Sequence, residues 1–327
     1  MKLDWDNVLD DLHRMERTTY FIPGDALTLD TLCGSMWGLN IRYTALKDAL
    51  SQHRSNMIKY AIDRVQALKE YPPLQTKKRT LPRCRVGYGT FGWKYDHKLI
   101  EYVIDQGMLI DTAEGYGYGR VETELGKVIN GNPGVEIMSK VRRDHMSPTA
   151  IVNSVNRSVG KLTVNPHFQT HFPHINYPDA IKDIAGMRQA GKIKSIGLSN
   201  CSIDMIEMSQ NLLSDSTGDS ISFVQMPYNV MNKRVENIFV PYCQAQGIYI
   251  VTYSPLGQVA NVVDTPVVRK VAKKYSATST QVALSYLLST NGVIPIPVTN
   301  NMDHLKQNIE ANELTLDEED IDIIRNN

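Results

Sequence analysis

The chain has 327 residues, 42% of them hydrophobic, and its 35 Lys and Arg are matched by 35 Asp and Glu. That balance removes any long-range pull toward nucleic acid or an anionic membrane. No apolar stretch reaches the roughly 20 residues that span a bilayer, and the acidic opening "MKLDWDNVLDDLHRME" lacks the apolar core of a secretion signal, so a cytoplasmic protein is expected.

The first elements read as helices. Val8, Leu9, Leu12 and Met15 share one face over residues 5–16, a second pattern covers about 27–37, and a third runs over 43–70 with a break near His53. "YPPLQTKKRT" (71–80) ends the pattern, because Pro72 and Pro73 stop helices. A boundary therefore divides a small all-α extension, 1–76, from a second unit, 77–327. Residues 28–50 loosely resemble a helix-turn-helix. Without a basic face they read better as a plain helical bundle, a lid or a protein-docking module. Cys33, Cys84, Cys201 and Cys243 show no metal spacing and read as free thiols in a reducing compartment.

From about residue 80, short β-branched runs alternate with helical patterns. Strands are predicted at 85–89, 109–113, 135–140, 167–172, 193–200, 222–229, 249–256 and 293–298. Helices are predicted at 96–106, 121–129, 178–190, 202–213 and 267–288. Eight strands separated by helices predict parallel pairing through right-handed crossovers. The length left matches the roughly 250 residues of a (β/α)8 TIM barrel. An open doubly wound sheet is the alternative, but no G-x-G-x-x-G follows a strand at a helix start.

Chemistry in a TIM barrel sits at the C-terminal strand ends. Strand two brings Asp111, with Tyr116 in its loop; strand three brings Ser139 and Lys140; strand four brings His171, Phe172 and Pro173. Ser199 and Asn200 end strand five, Gln225 lies on strand six, and Tyr253, Ser254, Pro255 and Leu256 end strand seven. Singly, Asp111 reads as a cap, Tyr116 as packing and His171 as a structural histidine. Lys140 is harder to place so, because an unpaired buried ammonium is costly. Together they form proton-transfer machinery. Lys140 would bring the Tyr116 phenol down, Asp111 would hold and aim Lys140, and His171 would orient a carbonyl oxygen.

These motifs resemble the aldo-keto reductase family: "GYGTFG" (87–92), "DTAEGYGYGRVETELGK" (111–127), "SK" (139–140), "HFP" (171–173), "GKIKSIGLSN" (191–200), "VQMPYN" (224–229), "YSPLG" (253–257) and "VIPIPVTNNMDHLKQN" (293–308), in family order. The resemblance implies an NAD(P)H-dependent reductase of an aldehyde, ketone or sugar-like carbonyl, with Asp111, Tyr116, Lys140 and His171 catalytic and no metal. It further implies that Ser199, Asn200 and Gln225 bind the nicotinamide carboxamide and that Tyr253 lies against its ring. Ser254 and Leu256 would lie near the pyrophosphate, and Thr299, Asn300, His304, Gln307 and Asn308 at the adenosine phosphate. Gly89 and Thr90 complete the cofactor-binding set.

There are departures from the family pattern. The approach to strand four is about two residues short, the hairpin before Arg85 is nearly absent, and the loop after strand seven is trimmed. Val298 and His304 replace the usual cations, so NADPH is expected with only a weak clamp on its 2′-phosphate, and NADH is the alternative. The family also includes potassium-channel beta subunits, so a cofactor-sensing regulatory protein is the alternative function, with residues 1–76 as its partner-binding module.

Overall fold

The computed structural model describes residues 84–172, 177–257 and 263–327. The predicted extension, its boundary near residue 76, Cys33 and Pro173 lie outside the described residues.

Eight strands form one parallel sheet in chain order. They are β1 (Tyr88–Gly89), β2 (Ile110–Asp111), β3 (Ile137–Val141), β4 (His167–Thr170), β5 (Ile196–Ser199), β6 (Ile221–Pro227), β7 (Tyr249–Tyr253) and β8 (Val293–Pro295). The ends of this sheet meet. Gly87 N donates to Pro295 O at 2.8 Å and Gly89 N to Pro297 O at 3.0 Å. The glycines permit that approach. A Cβ on Gly89 would lie 2.8 Å from Val298 Cγ2 and 2.9 Å from the Ile296 carbonyl oxygen. The result is the expected (β/α)8 barrel, with strands shorter than the apolar runs that predicted them.

The helices are α1 (His97–Asp105), α2 (Arg120–Ile129), α3 (Pro148–Leu162), α4 (Tyr177–Gln189), α5 (Ile203–Ser216), α6 (Phe239–Ala245), α7 (Pro266–Lys274), α8 (Ser279–Leu288), α9 (Met302–Glu310) and α10 (Glu318–Arg325). Local chemistry sets their ends. Asp96 caps α1 by accepting from Lys98 N, and Thr278 with Gln281 forms a capping box at α8. The single helix predicted at 267–288 is in fact α7 and α8. Ser276 between them has φ +51°, a left-handed conformation that ends α7, and the capping box restarts the chain as α8.

Two apolar layers hold the barrel. Outside, helices bury stripes such as Val121, Leu125 and Ile129 of α2, each fully buried side chain contributing about 1.5–3 kcal/mol. Inside, Leu109, Met138, Phe223, Val251, Ile294 and Ile296 pack together. Gly197 makes room for Phe223, whose ring would lie 2.3 Å from a Cβ there. This plug closes the barrel beneath the strand ends, so polar side chains one step further along face the mouth. Cys84, Cys201 and Cys243 are free and buried. Among the described residues no helix is long and apolar enough to cross a membrane, and no group of three or more His, Cys, Asp or Glu is placed to hold a metal.

Candidate active site

Register brings the first groups together. Asp111 of β2 pairs with Met138, which puts Lys140 two residues further along β3, on the same face of the sheet. Lys140, with 1% of its side chain exposed, donates from Nζ to Asp111 Oδ2 at 2.8 Å, to the Thr112 carbonyl at 2.8 Å and to the Tyr116 hydroxyl at 3.3 Å. Asp111 Oδ1 accepts from Gln225 Nε2 at 2.7 Å. His171 follows β4 directly. Its ring lies 6.0 Å from that of Tyr116, edge-on at 70°. The four expected catalytic side chains therefore meet.

Burial pushes the Asp111 carboxyl up, against the Lys140 ammonium that pulls it down. At Lys140 burial opposes the charge, but Asp111 and Tyr116 outweigh it and hold the ammonium more firmly than usual. With three acceptors on the ammonium and hydrogen bonds to both carboxylate oxygens, the pair is ionic. The phenol differs from expectation. Burial pushes Tyr116 up, and the opposing pull of Lys140 does not overcome it. Tyr116 therefore keeps its proton at neutral pH, because removing a phenolate from water costs more than one ammonium returns. His171 is pushed down to about 3, by burial first and Lys140 second, so its imidazole stays neutral.

The loop carrying Tyr116 turns through the left-handed region at Gly117, Tyr118 and Gly119 (φ +54°, +56° and +84°). Sequence reasoning missed the residue that anchors its base. Glu114 Oε1 accepts from Arg142 N at 2.6 Å, His145 Nδ1 at 3.0 Å and Ser154 Oγ at 3.2 Å, and Oε2 accepts from Arg157 at 3.2 Å. This carboxylate ties the loop after β2 to the loop after β3. Its position just after "DTA" was visible, but its partners were not.

The expected carboxamide binders form a connected chain. Tyr253 donates to Asn200 Oδ1 at 2.8 Å; Asn200 Nδ2 donates to the His171 carbonyl and to Ser199 Oγ, both at 3.1 Å; Ser199 Oγ donates to the Gln225 carbonyl at 3.2 Å. Among the described residues nothing donates to Gln225 Oε1. Two side-chain amides, a hydroxyl and the half-buried ring of Tyr253 form a donor and acceptor set that fits an aromatic carboxamide. Ser254, with φ +50°, offers its carbonyl to Asn229 Nδ2 at 3.0 Å, and Leu256 is half-buried against the outer apolar layer.

Other residues expected at the cofactor make contacts within the barrel. Thr90 is fully buried, and both its amide and its hydroxyl donate to the Asp111 carbonyl, at 3.0 and 2.9 Å. Gly89 lies in the barrel seam. Asn300 accepts from Lys94 N at 2.8 Å and donates to the Gly92 carbonyl at 3.1 Å, stapling the eighth loop to the first, and the Thr299 carbonyl accepts from Tyr88 at 2.7 Å. Asn301, not singled out from sequence, caps α9 by accepting from Asp303 N at 2.8 Å and His304 N at 3.0 Å. The first turn of α9 holds Asp303 and no Lys or Arg. His304, Gln307 and Asn308 share one helix face, from exposed to buried.

Comparison with known proteins places the barrel in a family. The model of the Aldo/keto reductase family matches residues 85–326. Methylglyoxal reductase YeaE of Escherichia coli (strain K12) is 28% identical over 217 residues, 64% of this chain and 75% of that protein. Probable aldo-keto reductase 1 of Glycine max is 26% identical over 270 residues, 68% of this chain and 76% of that protein. The thermostable aldo-keto reductase Tm1743, solved with the inhibitor epalrestat, superposes with a TM-score of 0.68 at 26% identity, covering 77% of this chain and 99% of that one. The aldo-keto reductase AKR2E5, solved with NADPH, gives 0.64 at 25% identity, covering 74% and 83%. With its barrel matched from first strand to last helix, this chain belongs to the aldo/keto reductase family of nicotinamide-dependent oxidoreductases.

Proposed function

We propose that the chain reduces the carbonyl of a small aldehyde or ketone, with Tyr116 as general acid and NADPH as the preferred, weakly selected cofactor. The observation that carries this reading is the three-way contact of Lys140 with Asp111, Tyr116 and the Thr112 carbonyl. A bound dihydronicotinamide supplies the hydride. Tyr116, accepting from Lys140, keeps its own proton free to donate to the carbonyl oxygen. Neutral His171 hydrogen-bonds the same oxygen and orients it, while Asp111 holds the ammonium in place. A cofactor sensor needs none of this proton machinery, so the complete set favours the enzyme.

Asn200, Ser199, Gln225 and Tyr253 would hold the nicotinamide end, and His304, Gln307 and Asn308 the adenosine end. The acidic first turn of α9 supports a weak grip on the 2′-phosphate, and the NADPH complex of AKR2E5 supports the cofactor class. Phe91 and Phe172 flank the acid and its histidine, at 5.3 Å from the Tyr116 ring and 4.7 Å from the His171 ring, with much of each exposed. Such a rim suits an apolar or compact carbonyl better than a polyhydroxylated sugar. Methylglyoxal, the substrate named for YeaE, is the first to try. The test is NADPH oxidation with methylglyoxal, an aromatic aldehyde and an aldose, using Tyr116→Phe as the blank. Turnover of the first two above the blank supports the reading, and no turnover of any carbonyl refutes it.

A further inference from the structure

We propose that Gln225 is a positioning residue of the proton-donating group, its side-chain amide holding Asp111 through Nε2 and leaving Oε1 for the cofactor's carboxamide. The proposal rests on the reductase reading above and assigns Gln225 a role beyond cofactor binding. The bond from Nε2 to Asp111 Oδ1 is 2.7 Å, and both residues are almost fully buried. The same nitrogen lies 3.8 Å from Met138 Sδ, a weak acceptor beneath it, so Asp111 is its one strong partner.

Gln225 closes a continuous path. From Tyr253 the hydrogen bonds run through Asn200 and Ser199 to the Gln225 backbone, then from its side chain to Asp111, Lys140 and Tyr116. Residues suited to grip the nicotinamide thus share one side chain with residues suited to deliver the proton. The charged and titratable groups near Asp111 are Lys140 of β3 and Tyr116 of the loop after β2, with His171 after β4 and Tyr253 of β7 further along the mouth. Gln225 is the neutral donor on β6 that adds to the grip on Oδ1, an oxygen that Lys140 Nζ also approaches at 2.8 Å. Without it, Asp111 takes a proton more readily, loses its hold on Lys140, and leaves Tyr116 poorly aimed.

Two substitutions separate this role from cofactor anchoring. Gln225→Met removes both hydrogen-bonding atoms. We expect kcat to fall at least tenfold and its low-pH limb to move up by about one to two pH units, the effect of one hydrogen bond to a charged group, while NADPH affinity changes only a few-fold. Gln225→Glu puts a second carboxyl against Asp111. Two carboxylates so close share a proton, and the protonated one donates as the amide did. This variant is expected to work on the acid side and fail as pH rises, opposite to Gln225→Met. A readout without turnover is the ¹³C carboxyl resonance of Asp111, assigned by its loss in Asp111→Asn and followed against pH without cofactor. It should titrate higher in Gln225→Met than in the parent. Identical titration overturns the proposal, even if the wild-type chain reduces no carbonyl and the reductase reading fails separately. NADPH binding weakened tenfold or more, with kcat and its pH limb unmoved, also overturns it. Should Gln225→Met not fold, the Gln225→Glu pH profile and resonance decide.

Discussion

Replacing Lys140 with Met tests the buried pair most directly. The ammonium is 1% exposed and Asp111 5%, so solvent screens neither. In the variant, Asp111 stays buried with Gln225 as its remaining donor, and it relieves the strain by taking a proton. Holding that proton at pH 7 costs about 1.36 kcal/mol for each unit above an ordinary Asp pKa of about 3.9, or about 4 kcal/mol. That lies within the roughly 3–5 kcal/mol expected for breaking a buried pair.

The sign follows from proton counting. The folded variant holds a proton that its unfolded chain releases above about pH 4, so the loss of stability grows with pH. Urea unfolding of parent and variant should give a gap of about 1.5 kcal/mol near pH 5, widening to about 4 near pH 7. Lys140→Met with Asp111→Asn should recover most of that gap, because removing both partners leaves no orphaned charge. A gap that does not change between about pH 5 and pH 7 would refute the claim that Asp111 is left to neutralise itself.

Tyr116→Phe should lower kcat by about 10²–10⁴-fold while the Kd for NADPH stays within a few-fold; full turnover removes Tyr116 from the reaction. His171, held at about 3 in the folded chain, stays neutral while the unfolded imidazole takes a proton below about pH 6.5. Stability should therefore fall as pH drops from there toward 3, and His171→Gln should lack that slope in urea titrations; an unchanged slope would place its origin elsewhere. His304→Arg, adding a fixed guanidinium to α9, should raise affinity for NADPH over NADH by about tenfold, read as the ratio of the two Kd values. No change in that ratio would move the adenosine phosphate away from this helix.

Most of the eight strands were legible as short β-branched or apolar runs bounded by turns, and β4, with the sequence HFQT, by its place between two helical patterns. Their lengths were not: 193–200 reduces to Ile196–Ser199, since a strand ends where its neighbour stops pairing. Ser276 divides the predicted 267–288 helix by a backbone conformation that apolar periodicity does not report. At the site, residue type at successive strand ends was enough to gather Asp111, Tyr116, Lys140 and His171. The direction of the Tyr116 shift was not legible, because it depends on how much water the fold removes. Nor was the bond from Gln225 to Asp111, which joins positions 114 residues apart. The role of Asn300 was hidden for the same reason, its partners Gly92 and Lys94 lying at the other end of the barrel chain.

The seam between the first and last strands constrains how this protein could change its cofactor. Val298 occupies the place where a phosphate-gripping cation would be expected, and it also lies over Gly89, within 2.8 Å of where a Cβ would be. Its branched methyl covers backbone that a lysine would cover only with a thin, mobile stem. Acquiring a cation at 298 would therefore loosen the closure of the barrel while tightening the grip on a phosphate. A lineage could separate the two by a route in which His304, exposed on α9 and clear of the seam, changes first. Mutational paths toward stricter NADPH use should therefore favour position 304 over position 298, and variants selected in the laboratory would record that order.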